Sequence, residues 1–160
     1  MPSVLAGVGN GKLLVWEYIE GRWNSSEAVR LHKGAILTAL QREYPHRRRF
    51  TILEDSDPTG FNSKAAVQAK VDSNRDVFEI SKHSPRLNVL DYYLWGAVNK
   101  RTRATERKCP ANKKEKRPAF LRRLTRLAKS IPREDVLEAQ RSMQVRCGRL
   151  ADAEGGQIEG

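Results

Sequence analysis

Two aspartates sit where divalent-metal chemistry could use them. Asp55 closes the β-rich run Phe50-Thr51-Ile52-Leu53-Glu54, and Asp91 opens the helical run Asp91-Tyr92-Tyr93-Leu94-Trp95-Gly96 after Ser84-Pro85-Arg86-Leu87-Asn88. A strand end and a helix start, separated by one further helix and strand, can bring two carboxylates to a shared cation of the kind that assists phosphodiester cleavage. Each residue also has a plainer role open to it: Asp55 as a turn former, Asp91 as a first-turn charge favoured by the helix dipole. A two-metal centre needs several carboxylates, because each Mg²⁺ keeps near-octahedral oxygen ligation. Glu54 points to the opposite strand face from its neighbour and Asp57 lies in a turn, which leaves Glu17, on an earlier strand, as the conceivable stand-in.

A second feature is a run of cations. Lys100, Arg101, Arg103, Arg107, Lys108, Lys113, Lys114, Lys116, Arg117, Arg122, Arg123, Arg126 and Lys129 are offset only by Glu106 and Glu115. A solvated helix face usually alternates signs, so this run predicts contact with a phosphate backbone. Neutralising six phosphates would give a salt slope of about −5 on a log–log plot, with little base selectivity, because phosphate contacts position without reading bases. A basic linker, or a nuclear-import signal around Lys113-Lys114-Glu115-Lys116-Arg117, is the alternative.

Bulk properties agree. The 160 residues carry a formal net charge of +11, which implies a polyanionic partner, nucleic acid before an anionic membrane. No apolar run approaches the roughly 20 residues a membrane span requires. No signal peptide is expected, because the N-terminus lacks a basic region followed by an apolar core. Cys109 and Cys147 fit no zinc pattern and read as free thiols. His32, His46 and His83 are scattered, and only His83 adjoins the Asp91 segment.

The elements that must position these residues follow from periodicity. Val4–Val8 and Lys12–Ile19 flank Gly9-Asn10-Gly11, a hairpin signal. Ser25 or Ser26 is the expected cap of a helix with Ala28, Val29 and Leu31, and Ile36, Leu37 and Leu40 continue toward Tyr44. A strand at Phe50–Glu54, a turn at Asp57–Gly60, a Ser63-capped helix through Val71 and a strand at Val77–Ile80 come next. The order β, β, α, β, α, β, α predicts a mixed α/β domain over residues 1–100. Residues 101–160 read as a basic helical extension. Phe120, Leu121, Leu124, Leu127 and Ile131 form one stripe there; Val136, Ala139, Met143, Cys147 and Leu150 form another.

Two of these segments resemble a known family. Glu54-Asp55-Ser56-Asp57-Pro58 is similar to the acidic strand-end motif Asp-Asn-x-Pro of the mariner superfamily of DDE/DDD transposases. Ser84-Pro85-Arg86-Leu87-Asn88-Val89-Leu90-Asp91-Tyr92-Tyr93-Leu94-Trp95 resembles its Ser-Pro-Asp-Leu-Asn-Pro-x-Glu/Asp-x-x-x-Trp motif, at similar spacing. The resemblance covers roughly residues 3–100. It implies an RNase H-like mixed sheet flanked by helices, Mg²⁺ or Mn²⁺ held by Asp55 and Asp91, DNA as partner, strand cleavage and joining, compatibility with a homodimer, and a nuclear or nucleoid location.

Departures from the family accompany it. Ser56 replaces the family's asparagine, Arg86 its aspartate and Val89 its second proline. The matched region starts at the family's second strand, so the first catalytic aspartate and its central strand have no counterpart. These departures predict a truncated copy with impaired catalysis. The alternative is a non-catalytic nucleic-acid-binding protein whose body scaffolds the basic helices.

Overall fold

The computed structural model describes residues 3–55, 57–73, 75–80, 85–108 and 115–153. Strand β1 (Val4–Gly9) turns at Asn10 (φ 51°) and Gly11 (φ 72°) into β2 (Lys12–Tyr18). The turn demands the left-handed backbone that Asn and Gly tolerate best. Gly11 is required for a second reason: a Cβ there would lie 2.5 Å from Leu137 Cγ and 2.9 Å from the Arg133 carbonyl.

Helix α1 (Ser25–Leu31) passes through a π-helical turn (His32–Ile36) into α2 (Leu37–Glu43). Its cap is Asn24, whose Oδ1 accepts the Glu27 N–H at 3.0 Å, rather than the expected Ser25 or Ser26. Asn24 already has the extended backbone a cap needs, while both serines are inside the first turn. Strand β3 (Phe50–Asp55) leads to α3 (Lys64–Asp72), capped as expected by Ser63. Strand β4 (Arg75–Ile80), a 3-10 turn at Pro85–Leu87 and a second π-helical turn at Leu90–Leu94 lead to α4 (Trp95–Glu106). Helices α5 (Arg117–Lys129) and α6 (Arg133–Asp152) complete the described chain.

The class is mixed α/β and RNase H-like, as the periodicity and the resemblance predict. The sheet comes in two halves: β1 pairs antiparallel with β2, β3 pairs parallel with β4, and among the described residues no ladder joins β1 to β3. The pairing skips Leu14, because Gly7 faces Val15 while Val8 faces Leu13. This bulge puts Leu13 on the same side as Trp16 and Tyr18. That side closes an apolar core with Ala6, Leu94, Val98, Leu124 and Ala128, to which Phe120 and Ile131 add. The stripe of α5 thus lands on the hairpin as its spacing predicts. On α6, Val136 and Ala139 are buried, but Cys147 is exposed, contrary to the expected stripe. Val145 is 57% exposed.

Candidate metal and nucleic-acid site

The two sheet halves flank a cavity of about 930 Å³, lined by β1 on one side and by Phe50–Glu54 of β3 on the other. Asp91 and its neighbours Asn88, Val89 and Leu90 line it too. Local chemistry sets Asp91 there. Asn88 accepts the Leu90 N–H on its Oδ1 at 3.0 Å, and its carbonyl accepts the Asp91 and Tyr92 N–H groups at 3.0 and 3.1 Å. The turn that follows is π-helical, a widening often found at functional sites. Asp91 is exposed, while Leu94 three residues on is 1% exposed and anchors the segment in the core. Tyr92 donates to the Ala139 carbonyl at 2.5 Å, and the Arg146 guanidinium lies 4.2 Å from its ring centre. Trp95 packs on Trp16 with ring centres 5.9 Å apart, a core role rather than a stacking platform.

Asp55 ends β3 opposite Ile80 of β4, so its backbone follows directly on the cavity-lining residue Glu54. Its side chain lies outside the described features. His83 and Ser84 lie outside the described residues, as do Lys113 and Lys114.

The neighbouring acids are committed elsewhere. Glu54 is buried, with Oε1 3.1 Å from His32 Nε2 and Oε2 paired with the buried Lys70 ammonium. Both partners pack against Phe61: the His32 ring meets it edge-on at 4.8 Å, and Lys70 Nζ is 5.7 Å from its centre. Burial pushes the Asp57 carboxyl up, but hydrogen bonds from Trp23 Nε1 (2.5 Å), the Thr59 hydroxyl (2.8 Å) and the Thr59 N–H (3.1 Å) outweigh it and hold the group below the usual Asp range. Glu17 is exposed on β2 and does not line the cavity. Among the described residues, no three His, Cys, Asp or Glu side chains are grouped so as to hold a metal. Sequence reasoning missed the Glu54–His32–Lys70 cluster. Its one linear trace is Lys70 at helical spacing from Ala66, where an apolar residue would be expected.

The basic residues fall into two stripes. Lys100, Arg103 and Arg107 recur at three and four residues along α4, and Arg122, Arg126 and Lys129 do so along α5; all six are exposed. Lys108, Lys116 and Arg117 are exposed as well, and Arg101 is half-buried. Arg123 differs from its neighbours. It bridges Glu115 at 2.7 Å and Glu106 at 3.5 Å, and its guanidinium lies 5.2 Å from the Phe120 ring centre. Its hydrogen bond holds the Glu115 carboxyl below the usual range. Arg123 thus ties α5 to the end of α4.

No family model and no curated protein sequence matches the chain. Solved structures do. The catalytic domain of Mos1 mariner transposase superposes with a TM-score of 0.78 at 18% identity, over 98% of this chain and 75% of that domain. The same Mos1 domain with raltegravir and Mg gives 0.78 and 18%, over 98% and 76%. A Mos1 paired-end complex with the left transposon end gives 0.75 and 18%, over 98% of this chain but 44% of that one. The chain has the fold of a mariner-type transposase catalytic domain. Among the described residues, no helix is long and apolar enough to cross a membrane.

Proposed function

We propose that this chain is a transposase-derived DNA-handling core of impaired catalytic power. In this reading Asp55 and Asp91 hold a single Mg²⁺ or Mn²⁺, and the exposed stripes of α4 and α5 hold the DNA backbone. One observation carries it: Asp91 lies on the wall of the cavity that β3 lines up to Glu54, the residue before Asp55, within a fold like that of the Mos1 catalytic domain. A cation bound there would stabilise charge developing on a scissile phosphate. The chain's own residues position the DNA and the carboxylates: Asn88 and Leu94 fix the Asp91 turn, and the basic stripes fix the duplex. Two carboxylates hold a cation weakly, so cleavage is slow while binding is retained. In this reading residues 1–100 are the catalytic-core part and 101–160 the basic extension, with Leu124 and Ala128 packed against Ala6, Leu94 and Val98. DNA as the partner implies a nuclear or nucleoid location, and a homodimer belongs to the same reading.

The test is nicking of supercoiled DNA in Mg²⁺ and in Mn²⁺. Slow metal-dependent nicking, lost in both Asp55→Asn and Asp91→Asn while DNA affinity is unchanged, is the expected result. A non-catalytic DNA-binding protein is the second reading, favoured by the lack of a three-residue acidic group among the described residues. Steeply salt-dependent binding without any cleavage would select it.

A further inference from the structure

We propose that Arg146 is a phosphate-binding residue, which takes a DNA-backbone phosphate beside the one that approaches Asp91. The inference rests on the reading of Asp91 as part of a site that works on DNA. It adds to that reading a contact from α6, outside the two basic stripes of α4 and α5.

The inward face of α6 leads to it. Val136, Ala139, Met143 and Arg146 follow one another at three and four residues; the first two are buried, and Met143 lines the cavity together with Asp91. One turn further on, the half-buried Arg146 places its guanidinium over the ring of Tyr92, the residue after Asp91, at 4.2 Å from its centre. Tyr92 is itself tied down, because its hydroxyl donates to the Ala139 carbonyl two turns back along α6. The ring therefore lies along the helix and holds the guanidinium in one place next to the Asp91 turn.

Its charge has no counterpart in the protein. Among the described residues no carboxylate pairs with Arg146, and its buried Nε makes no hydrogen bond. Arg123 shows what a completed site of this kind contains: a guanidinium over the Phe120 ring, closed by Glu115 and Glu106. At Arg146 the ring is present and the acids are not. An aromatic face offsets only part of the cost of drawing a cation out of water, so an anion gains more here than at a fully solvated lysine. A guanidinium lying flat on a ring keeps the donors along its edge for a planar, bidentate partner, which a phosphate is. The surroundings favour the same sign: Arg149 is exposed one turn along α6, and the exposed Arg86 belongs to the Pro85–Leu87 turn that lies alongside this helix. Such a contact fixes the path of a strand and reads no base.

The test is binding of a short DNA duplex by the full chain in metal-free buffer, where nicking plays no part. Arg146→Met keeps an apolar stem over Tyr92 and removes the charge; Arg146→Lys keeps the charge without the planar fork. Arg146→Met should weaken binding roughly tenfold and lower the salt slope by about one, at an unchanged melting temperature. Arg146→Lys should recover the slope but only part of the affinity. Neutral methylphosphonates, placed one at a time along the duplex, locate the phosphate: at one position the parent should lose affinity and Arg146→Met should lose none further. Unchanged affinity and slope in Arg146→Met overturn the inference, as does a methylphosphonate profile shared by parent and variant. A lowered melting temperature with Arg146→Lys binding no better than Arg146→Met makes the residue mere packing and overturns it too. Binding weakened by Arg146→Met and not by Asp91→Asn upholds it even where nicking is absent. Nicking lost in Asp91→Asn, with Arg146→Met binding as the parent does, sinks this inference and leaves the metal reading standing.

Discussion

The two sheet halves are held by different physics. The β1–β2 hairpin is clamped to α4 and α5 by an apolar interface of Ala6, Leu94, Val98, Leu124 and Ala128. Around β3, the centre is a buried carboxylate between an imidazole and an ammonium, with Phe61 packed against both. An apolar interface tolerates small shifts, because dispersion and burial are non-directional. A buried ion cluster does not tolerate them, since a displaced partner leaves an uncompensated charge. The hairpin half is therefore held by amount of contact and the β3 half by geometry, and the geometric half adjoins the proposed metal site.

The sharpest way to break this contrast is Glu54→Ala, which strands His32 and Lys70 in the interior. It should cost about 3–5 kcal/mol in urea unfolding. A triple change of Glu54, Lys70 and His32 to apolar residues of similar volume should recover most of that loss. A cost below about 1 kcal/mol for Glu54→Ala would place the organisation of this half elsewhere. On the hairpin side, Leu94→Ala should cost about 3 kcal/mol through lost burial and the cavity left behind. Its effect should add to that of Glu54→Ala, which a double-mutant cycle measures.

Next in size is Trp23→Phe, which removes the indole N–H from Asp57 and should cost about 1–2 kcal/mol. It carries a pH signature. The folded Asp57 carboxyl lies below its ordinary value of 3.8, so its contribution is complete above that value and is lost as pH falls through the lower folded one. In Trp23→Phe the shift shrinks, and the fall in melting temperature from about pH 5 to about pH 3 should be shallower than in the parent. Smallest is Glu43→Gln at the hairpin tip. The Lys12 hydrogen bond holds that carboxyl below its usual range, but the pair is exposed, so melting temperature should stay within error at moderate salt.

How far each half is legible in sequence follows the same division. The hairpin, its Asn-Gly turn and the α5 stripe come straight from periodicity, because apolar contacts leave a repeating signature along the chain. The cluster on Glu54 joins a π-helical turn, a strand and a helix, and no local pattern announces a pairing across 16 residues such as that with Lys70. His32 faces inward from within that turn, a widening that spacing rules tuned to regular helices do not foresee. Arg123 reads as one more cation in a basic run, yet Glu106, Glu115 and Phe120 engage it. Asp91 is legible by motif, and its seat on the cavity wall comes from Asn88 and the widened turn after it. Asn24 shows how little separates neighbours: three consecutive residues could cap α1, and backbone angle chose the first.

The tip of the hairpin bears on the order in which the molecule assembles. The Gly11 N–H donates to Gln140 Oε1 at 2.8 Å across 129 residues, and Arg133 reaches the Asn10 carbonyl at 3.3 Å across 123. The hairpin turn is thus fastened by α6, far along the chain. Two strands alone are marginal in water, so during vectorial synthesis the hairpin stays loose until α6 emerges. Closure over so long a loop is slow. Attachment of α6 should therefore be a late kinetic phase, one that Gln140→Ala retards without altering the chain's early collapse.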